Sequence, residues 1–229
     1  MGMNLIPASD SSILVIFGDE ITPVVQKSVH ALFHALQAAQ DHRIRNLHPG
    51  YVSLLVDFDP RAISHDEIAA LIQSAKPSPA QDTELQTPAV EIPVCYDSDF
   101  GPDQADVATH TGLSISQVIQ KHWSASYTVA FLGFTAGFAY LSGMAFELSI
   151  PRLATPRRAV AVGSVGIAGN QTGIYPTVTP GGWRLIGRTP RQMFNPRRIQ
   201  PSPVMPGDRI KFVPIDRREF DRLLLESAG

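Results

Sequence analysis

Hydrophobic positions in the first part of the chain switch between the spacing of strands and the spacing of helices. Residues 13–17 (ILVIF) form a short apolar run typical of a buried strand. Residues 22–40 begin with a threonine and a proline suited to a helix start, and their apolar positions recur at helical spacing. A Pro-Gly turn then separates residues 44–48 from the alternating residues 51–58, which predicts a hairpin.

The pattern continues with one more helix and one more strand. A capping box, Ser-x-x-Glu, opens a helix over residues 64–75, a polar and proline-containing segment covers residues 76–87, and an apolar strand follows over residues 89–95. The order strand, helix, strand, strand, helix, strand is that of a ferredoxin-like α+β domain. We therefore predict such a domain over residues 1–95.

The rest of the chain, residues 96–229, has a different pattern of apolar and turn-forming residues. Two short helices are predicted over residues 103–110 and 114–122. From residue 127 onward, glycine and proline separate short apolar runs, and no helical period returns until residues 216–226. Many short strands joined by frequent turns predict a closed all-β barrel.

The composition is that of an ordinary globular protein, with 44% hydrophobic and 17% charged residues. The most apolar stretch, residues 129–141, is shorter than the about 20 residues that a membrane-spanning helix needs, and the N-terminus lacks a signal-peptide pattern. We expect a soluble cytoplasmic protein that does not act at a membrane. The single cysteine, Cys95, lies in an apolar strand and is interpreted as a buried structural thiol.

Charge is distributed unevenly along the chain. Residues 1–150 hold six Lys and Arg against sixteen Asp and Glu, whereas residues 151–211 hold ten against one, and nine of those ten are Arg. Two interpretations stay open: the halves neutralise each other or expose a solvated face, or the arginines bind a small anion or an acidic partner. Nucleic acid is not favoured, because the arginines are spread among Pro and Gly and the total charge is slightly acidic.

Two motifs partly match known functional motifs, but each lacks a residue that the function requires. His30 and His34 have the i, i+4 spacing of helical metal ligands, but no third ligand lies nearby in the sequence, so we interpret them as surface histidines and expect no metal site. The glycine-rich residues 163–176 (GSVGIAGNQTGIYP) lack the lysine of a phosphate-binding loop. Their glycines are better explained by tight turns and close backbone approach within a barrel.

Six segments resemble, in order, the motifs of one family, the KipI / PxpB / allophanate-hydrolase-subunit-1 family. They are PVCYDSDFGPD, GLSISQVIQKH, GFTAGFAYLSG, PRLATPR, GSVGIAGNQTGIYP and PGGWRLIGRTP. The resemblance covers nearly the whole chain, and the spacing of the last two motifs is highly specific. It implies an N-terminal α+β domain followed by a cyclophilin-like β-barrel, in agreement with the pattern of apolar positions.

The resemblance implies one component of a multi-subunit enzyme. Members of the family include the B component of an ATP-dependent 5-oxoprolinase, which opens 5-oxo-L-proline to L-glutamate together with two partner subunits, the A and C components. No site for ATP or its magnesium is visible in this sequence, so we expect ATP to act at the level of the complex and a partner chain to complete the active site. Biotin is not expected, because the chain carries no Met-Lys-Met carrier motif.

Two other functions remain open from the same resemblance. Some members regulate a sporulation histidine kinase by binding it, and the same module forms one lobe of the carboxyltransferase in biotin-dependent urea carboxylase. The sequence also departs from the family pattern. Ala136 and Ala139 stand where the family has prolines, and Ala145 replaces an acid, so we expect a looser loop here.

The motifs supply the candidate site residues. Gln171, Thr172 and Tyr175 are polar groups on an apolar wall, the kind of surface that binds a small ligand, and Gln171 could donate to a lactam carbonyl or its oxyanion. Arg157 and Arg188 could hold a carboxylate or a phosphorylated intermediate.

Three further residues have two interpretations each. His122 is the best candidate for a general acid or base by residue type, with a helix C-terminal cap as its alternative. Tyr140 could bind substrate or pack in the core, and the same holds for Trp183.

Overall fold

The computed structural model of the chain describes residues 3–75 and 88–228, and the polar segment predicted over residues 76–87 lies outside the described residues. The chain forms two compact units, residues 1–87 and 88–229. The prediction of an α+β region followed by a β-barrel is confirmed.

The first unit is one antiparallel sheet with two helices. The sheet order is β1-β2-β4-β3. The elements are β1 (Asn4–Ser9), β2 (Ser12–Ile16), α1 (Pro23–Ala39), β3 (Ile44–Pro49), β4 (Ser53–Phe58) and α2 (His65–Ser74). Apolar side chains of β2, β4 and the two helices form one buried core, with Val15, Val29, Leu54 and Ile68 fully enclosed.

Both helices begin as their sequences predict. The backbone N–H of Val25 donates to the Thr22 hydroxyl at 3.2 Å, and Pro23 follows at the first helical position. At the start of α2, Ser64 and Glu67 exchange the two hydrogen bonds of a capping box. Each pattern satisfies backbone donors that the first helical turn would otherwise leave without partners.

One interpretation of this unit is corrected. His30 is not at the surface: it is 3% exposed on the face of α1 that also buries Val29 and Phe33, because three- and four-residue steps place it over the sheet. His34 is half-buried and meets the Phe33 ring edge-on at 5.1 Å. Within residues 3–75 and 88–228, no group of three or more His, Cys, Asp or Glu side chains could hold a metal ion.

The second unit is built around a closed barrel of seven strands in the order β10-β7-β6-β13-β5-β12-β9. Its strands are β5 (Val90–Cys95), β6 (Tyr127–Leu132), β7 (Ala139–Ser142), β8 (Arg157–Val160), β9 (Ser164–Ala168), β10 (Gln171–Ile174), β11 (Thr179–Gly181), β12 (Arg184–Arg188) and β13 (Arg209–Ile215). Its helices are α3 (Gln104–Thr111), α4 (Ile115–Ser124) and α5 (Arg217–Ala228), with a 3-10 turn at Phe146–Leu148. Strands β8 and β11 form a separate antiparallel pair.

The sequence assigned one strand to the wrong sheet. Residues 89–95 were expected to complete the ferredoxin-like domain, but β5 pairs in parallel with β13, from Val90 opposite Ile210 to Cys95 opposite Ile215. The fourth strand of the N-terminal sheet is β1 instead. Strand β1 was not predicted from the sequence, because it is an exposed edge strand and therefore lacks a clear apolar alternation. It also contains Pro7, which lowers the strand propensity.

The barrel interior is apolar and continuous with the helices beside it. Ile92, Val129, Leu141, Ile167 and Phe212 are fully buried in one cluster that also includes residues of α3 and α4. Cys95 belongs to the fully buried residues of this unit, and burial raises the pKa of its thiol. In the part of the chain that the structure describes, no helix combines the length and the apolar character needed to cross a membrane.

Candidate functional site

Four of the sequence motifs meet at one pocket of about 260 Å³ on the barrel unit. The loop between β6 and β7 contributes two phenylalanines, β7 a tyrosine, the segment before β8 an arginine and a proline, and the remainder comes from the end of β10, from β11 and from the turn before β12. The lining residues are Phe134, Phe138, Tyr140, Arg152, Pro156, Tyr175, Pro180, Gly181, Gly182 and Trp183. Five of the ten lining residues are therefore aromatic, and one, Arg152, carries a positive charge.

Two glycines explain how bulky rings can approach the sheet closely. Gly166 of β9 and Gly173 of β10 are directly opposite each other. A Cβ on Gly166 would stand 3.1 Å from the Trp183 side chain, and one on Gly173 would stand 3.0 Å from the Phe138 ring. The glycine-rich segment therefore allows close aromatic packing, because a side chain at either position would force its aromatic neighbour to shift by a few tenths of an ångström.

The aromatic rings of the pocket hold each other in fixed orientations. Phe138 meets Tyr175 edge-to-face at 5.1 Å between ring centroids and meets Trp183 in the same way at 5.4 Å. All three side chains are at most 4% exposed. Burial raises the pKa of the Tyr140 and Tyr175 hydroxyls, so both remain protonated at neutral pH.

Phe134 stands at the open side of the pocket, at the tip of the β6–β7 hairpin. It is 62% exposed and its φ is 63°, in the left-handed region that side chains other than glycine rarely occupy. Backbone hydrogen bonds close the loop around it, including Phe138 N–H to Thr135 C=O at 3.0 Å. Ala139, one of the two alanines at family proline positions, is 1% exposed within β7.

Arg152 is a functional candidate that the sequence analysis missed. Its guanidinium carbon lies 6.0 Å from the centroid of the Trp183 ring, at the distance of a cation–π contact. Its side chain is exposed, and no hydrogen bond or ion pair joins it to the described part of the chain. The PRLATPR motif contained this signal, because it carries two arginines, but the motif alone does not say which of them has an internal partner.

Arg157, the other arginine of that motif, is engaged within the protein. Its Nη2 donates to Asp103 Oδ1 at 2.6 Å, and the second carboxylate oxygen of Asp103 accepts from the Leu185 backbone N–H at 2.6 Å. Asp103 is 4% exposed. Arg157 Nη1 also reaches the Trp183 carbonyl at 3.5 Å, so this pair fixes the backbone beneath the aromatic pocket.

Arg188 lies in a different environment again. Its Nε donates to the Val162 carbonyl at 2.7 Å, and its guanidinium carbon lies 5.5 Å from the Phe100 ring and 5.9 Å from the Phe220 ring. Burial, followed by the neighbouring charge of Arg217, lowers the pKa of its guanidinium. Neither Arg157 nor Arg188 lines the aromatic pocket, so the expected pair of anion-binding arginines is not placed at that pocket.

Gln171 begins β10 opposite Ala168 and is half-buried. Side chains two apart on a strand share a face, so Gln171 lies on the same face of the sheet as Gly173. It borders the aromatic cluster through Ala168 but does not line the pocket. Its position is compatible with a role beside the pocket, and that role stays a prediction.

His122 and Thr172 meet in the barrel core. The Tyr96 hydroxyl lies 2.8 Å from His122 Nδ1, and His122 Nε2 lies 2.9 Å from the Thr172 hydroxyl, which donates to the Gly166 carbonyl at 3.0 Å. Because the threonine proton is used, Nε2–H must donate to Thr172 and Nδ1 must accept from Tyr96. Both ring nitrogens of a neutral imidazole are thereby satisfied.

This arrangement changes the interpretation of His122. The side chain is 0% exposed, stacks on Phe212 at 4.6 Å, and burial lowers its pKa from 6.5 to about 3. An imidazole that stays neutral and enclosed has no path to a substrate proton, so the expectation of a general acid or base is not supported. It is not a C-terminal cap either, and its hydrogen bonds connect α4 to β10 instead.

The class of the protein is defined by its fold and its pocket. An α+β unit is followed by a seven-stranded mixed barrel, and four motifs surround one pocket. Residues 3–204 match the family described as carboxyltransferase domain, subdomain C and D, and the chain belongs to that family. The family resemblance of the sequence motifs is thereby confirmed.

Several proteins similar to this chain are named as the B subunit of 5-oxoprolinase. The chain is 38% identical over 228 residues to the B subunit of 5-oxoprolinase from Bacillus subtilis (strain 168), covering 95% of each protein. It is 47% identical over 156 residues to the B subunit of 5-oxoprolinase from Escherichia coli O157:H7, covering 68% of this chain and 71% of that protein. Among solved structures, that of TTHA0988 is 34% identical with a TM-score of 0.80, over 90% of this chain and 40% of the other.

Proposed function

We propose that the chain is the B component of an ATP-dependent 5-oxoprolinase and that its aromatic pocket receives 5-oxo-L-proline. The observation that carries this assignment is the convergence of four motifs on one pocket whose only cation among the described lining residues, Arg152, has no acidic partner there. Relatives at 38% and 47% identity, each named as the B subunit of 5-oxoprolinase, support the same assignment.

The pocket suits the chemistry of this substrate. 5-Oxoproline is a small lactam ring that carries one carboxylate, so it needs an apolar slot with a cation at one end. The exposed ring of Phe134 and the rings of Tyr140 and Trp183 can contact the lactam, and Arg152 can hold the carboxylate by a charge-assisted hydrogen bond. A volume of about 260 Å³ lies just below the roughly 300–1,000 Å³ of pockets for drug-sized ligands.

This chain positions the lactam, and other groups supply the rest of the reaction. ATP and magnesium do not fit the aromatic pocket, because it offers one arginine for a triphosphate and no carboxylate for a metal. When bound to the complex, ATP supplies the energy for opening the amide bond. We therefore assign ATP and its magnesium to the complex with the A and C components, the partner subunits that would complete the active site in the cytoplasm.

Reconstitution tests the proposal. The chain is mixed with the A and C components from the same organism, 5-oxoproline, ATP and magnesium, and L-glutamate is measured over time. Arg152→Gln should raise KM for 5-oxoproline about 10- to 100-fold, the value expected for losing one charge-assisted hydrogen bond of about 1.5–3 kcal/mol. Arg158→Gln, which removes an exposed charge on β8 away from the pocket, is the matched control and should leave KM unchanged.

Three results would contradict the assignment in different ways. Absence of glutamate from the complete mixture, together with tight binding of the chain to a sensor histidine kinase, would favour the regulatory function. Carboxylation of urea with a biotinylated carrier in place of 5-oxoproline turnover would favour the carboxyltransferase function. An equal rise of KM in Arg152→Gln and Arg158→Gln would keep the enzyme but exclude Arg152 as the carboxylate ligand.

A further inference from the structure

A second pocket, of about 350 Å³, lies on the barrel unit and shares no lining residue with the aromatic pocket. It is formed by the turn after β12, by Pro93 of β5 and by the last turns of α5. Two arginines, Arg191 and Arg198, face it together. We propose that this pocket binds the phosphate group of a small phosphorylated molecule.

The two arginines form an uncompensated positive pair. Arg191 is half-buried, and its Nη1 donates to the Glu91 carbonyl at 2.7 Å, which fixes the guanidinium and leaves its other N–H groups available. Burial, and then the charge of Arg198, lowers the pKa of Arg191. Within residues 3–75 and 88–228, neither arginine forms an ion pair with a carboxylate, so an anion placed between them would relieve their mutual repulsion.

The polar groups around the arginines offer donors. The Gln192 side-chain oxygen accepts from Asn195 Nδ2 at 3.1 Å, which leaves the amide N–H₂ of Gln192 to face a ligand. Glu226 is the acid in the wall, and its carboxylate is already bonded to Arg222 on the same helix. Arg222 is shared between Glu226 and Glu219, so the wall carboxylate is paired rather than neutralised. Two guanidinium groups and one amide against this single wall carboxylate still favour an anion, and the planar guanidinium fork suits phosphate oxygens.

The remaining wall indicates a ligand larger than inorganic phosphate. Pro93, Pro190 and Leu223 provide apolar surface beside the arginines. A phosphate at the guanidinium groups would place an attached organic group against these residues. The shared chemistry is a phosphoryl group, whether it comes from a nucleotide or from free phosphate, and the assignment is independent of the substrate of the aromatic pocket.

Isothermal titration of the full chain at low ionic strength tests the site with two probes, inorganic phosphate and ADP without magnesium. Arg198→Gln should weaken binding of both probes at least tenfold, because it removes one of the two guanidinium groups that face the pocket. The fold should be unaffected, since the Arg198 side chain is exposed and makes no hydrogen bond to the described residues. Arg197→Gln is the matched control, since Arg197 is also exposed but does not line the pocket, and it should change affinity less than threefold.

Each outcome has a defined meaning. Tighter binding of ADP than of inorganic phosphate would support a phosphorylated organic ligand against the apolar wall. Equal binding would contradict the role of that wall and limit the site to free phosphate. Failure of the wild-type chain to bind either probe at millimolar concentration would overturn the proposal. Equal losses in Arg198→Gln and Arg197→Gln would overturn it too, because they would reduce the effect to the general positive charge of this region.

Discussion

Arg157 and Asp103 are joined at 2.6 Å across 54 positions of the sequence, and this pair connects the start of α3 to the backbone that carries Trp183. The carboxylate is 4% exposed, so it depends on its two partners for compensation. An arginine in one of the family motifs thus serves the pocket indirectly, by holding its wall in place.

Replacing Arg157 should therefore lower stability more than it alters chemistry. Arg157→Gln leaves the buried Asp103 carboxylate short of a cation and should cost about 3 kcal/mol of unfolding free energy, the lower end for breaking a buried pair because Arg157 is partly exposed. Urea unfolding followed by tryptophan fluorescence reports on the barrel unit, since Trp123 and Trp183 both lie there.

The neighbouring Arg158→Gln provides the comparison for that measurement. Arg158 is exposed on β8, and its loss should change the unfolding free energy by less than about 0.5 kcal/mol. Similar effects of the two substitutions would show that the Asp103 pair contributes little.

His122 makes the stability of the barrel depend on pH. Its pKa is about 3 in the folded chain and 6.5 in the reference state, so the unfolded chain binds the extra proton first as pH falls. The stabilisation is complete above pH 6.5 and is lost as pH decreases toward 3, at up to about 1.4 kcal/mol per pH unit. Unfolding free energies measured between about pH 4 and pH 6.5 should show this slope.

A substitution separates His122 from the other titrating groups. His122→Asn should lower stability most above pH 6.5, and its dependence on pH between about 4 and 6.5 should be shallower by about 1.4 kcal/mol per unit, so the difference from the wild-type chain should shrink as pH falls. The same slope in both proteins would assign the effect to carboxylates. An inflection of kcat near neutral pH that disappears in His122→Asn would instead restore the catalytic interpretation.

Adding one methyl group at Gly173 should disturb the pocket from below. A Cβ there would stand 2.9 Å from the Ala139 carbonyl and 3.0 Å from the Phe138 ring, so Gly173→Ala should cost about 1–3 kcal/mol and raise KM by displacing Phe138. Gly182→Ala is the control for stability, since its Cβ would meet Pro156 at an ordinary 3.6 Å. Thermal unfolding and reconstituted turnover provide both readouts.

Replacing Gln171 should affect turnover and leave stability unchanged. Its half-buried side chain has no hydrogen bond to the described residues, so Gln171→Ala should leave the melting temperature nearly unchanged. If the amide contacts the substrate next to the aromatic pocket, turnover in the reconstituted complex should be abolished. A clear fall in melting temperature with turnover retained would identify Gln171 as structural.

Local features were predictable where the sequence alone specifies the contact. The caps at Thr22 and Ser64 involve partners only three residues away, and both form as expected. Which strand pairs with β5 was not predictable, because an apolar run of six residues can join any sheet with an open edge.

The candidate site shows the same division between local and distant information. Three aromatic residues of the motifs, Tyr140, Tyr175 and Trp183, line the aromatic pocket, but the sequence left Tyr140 and Trp183 open between substrate binding and core packing. The motifs did not distinguish Arg152 from Arg157, because the difference is made by Asp103, far away in the sequence. They also did not reveal that His122 is enclosed, because its partners Tyr96 and Thr172 come from separate strands and turns.

The position of β13 between β5 and β6 has a consequence for synthesis of the protein. Strand β5 is made early in its unit, yet its parallel neighbour is the last of the described strands to leave the ribosome. Until then both β5 and β6 carry open hydrogen-bonding edges, a recognised source of mispairing with other chains. Conditions that slow translation of residues 209–215 should therefore reduce the yield of correctly assembled protein more than its equilibrium stability would suggest.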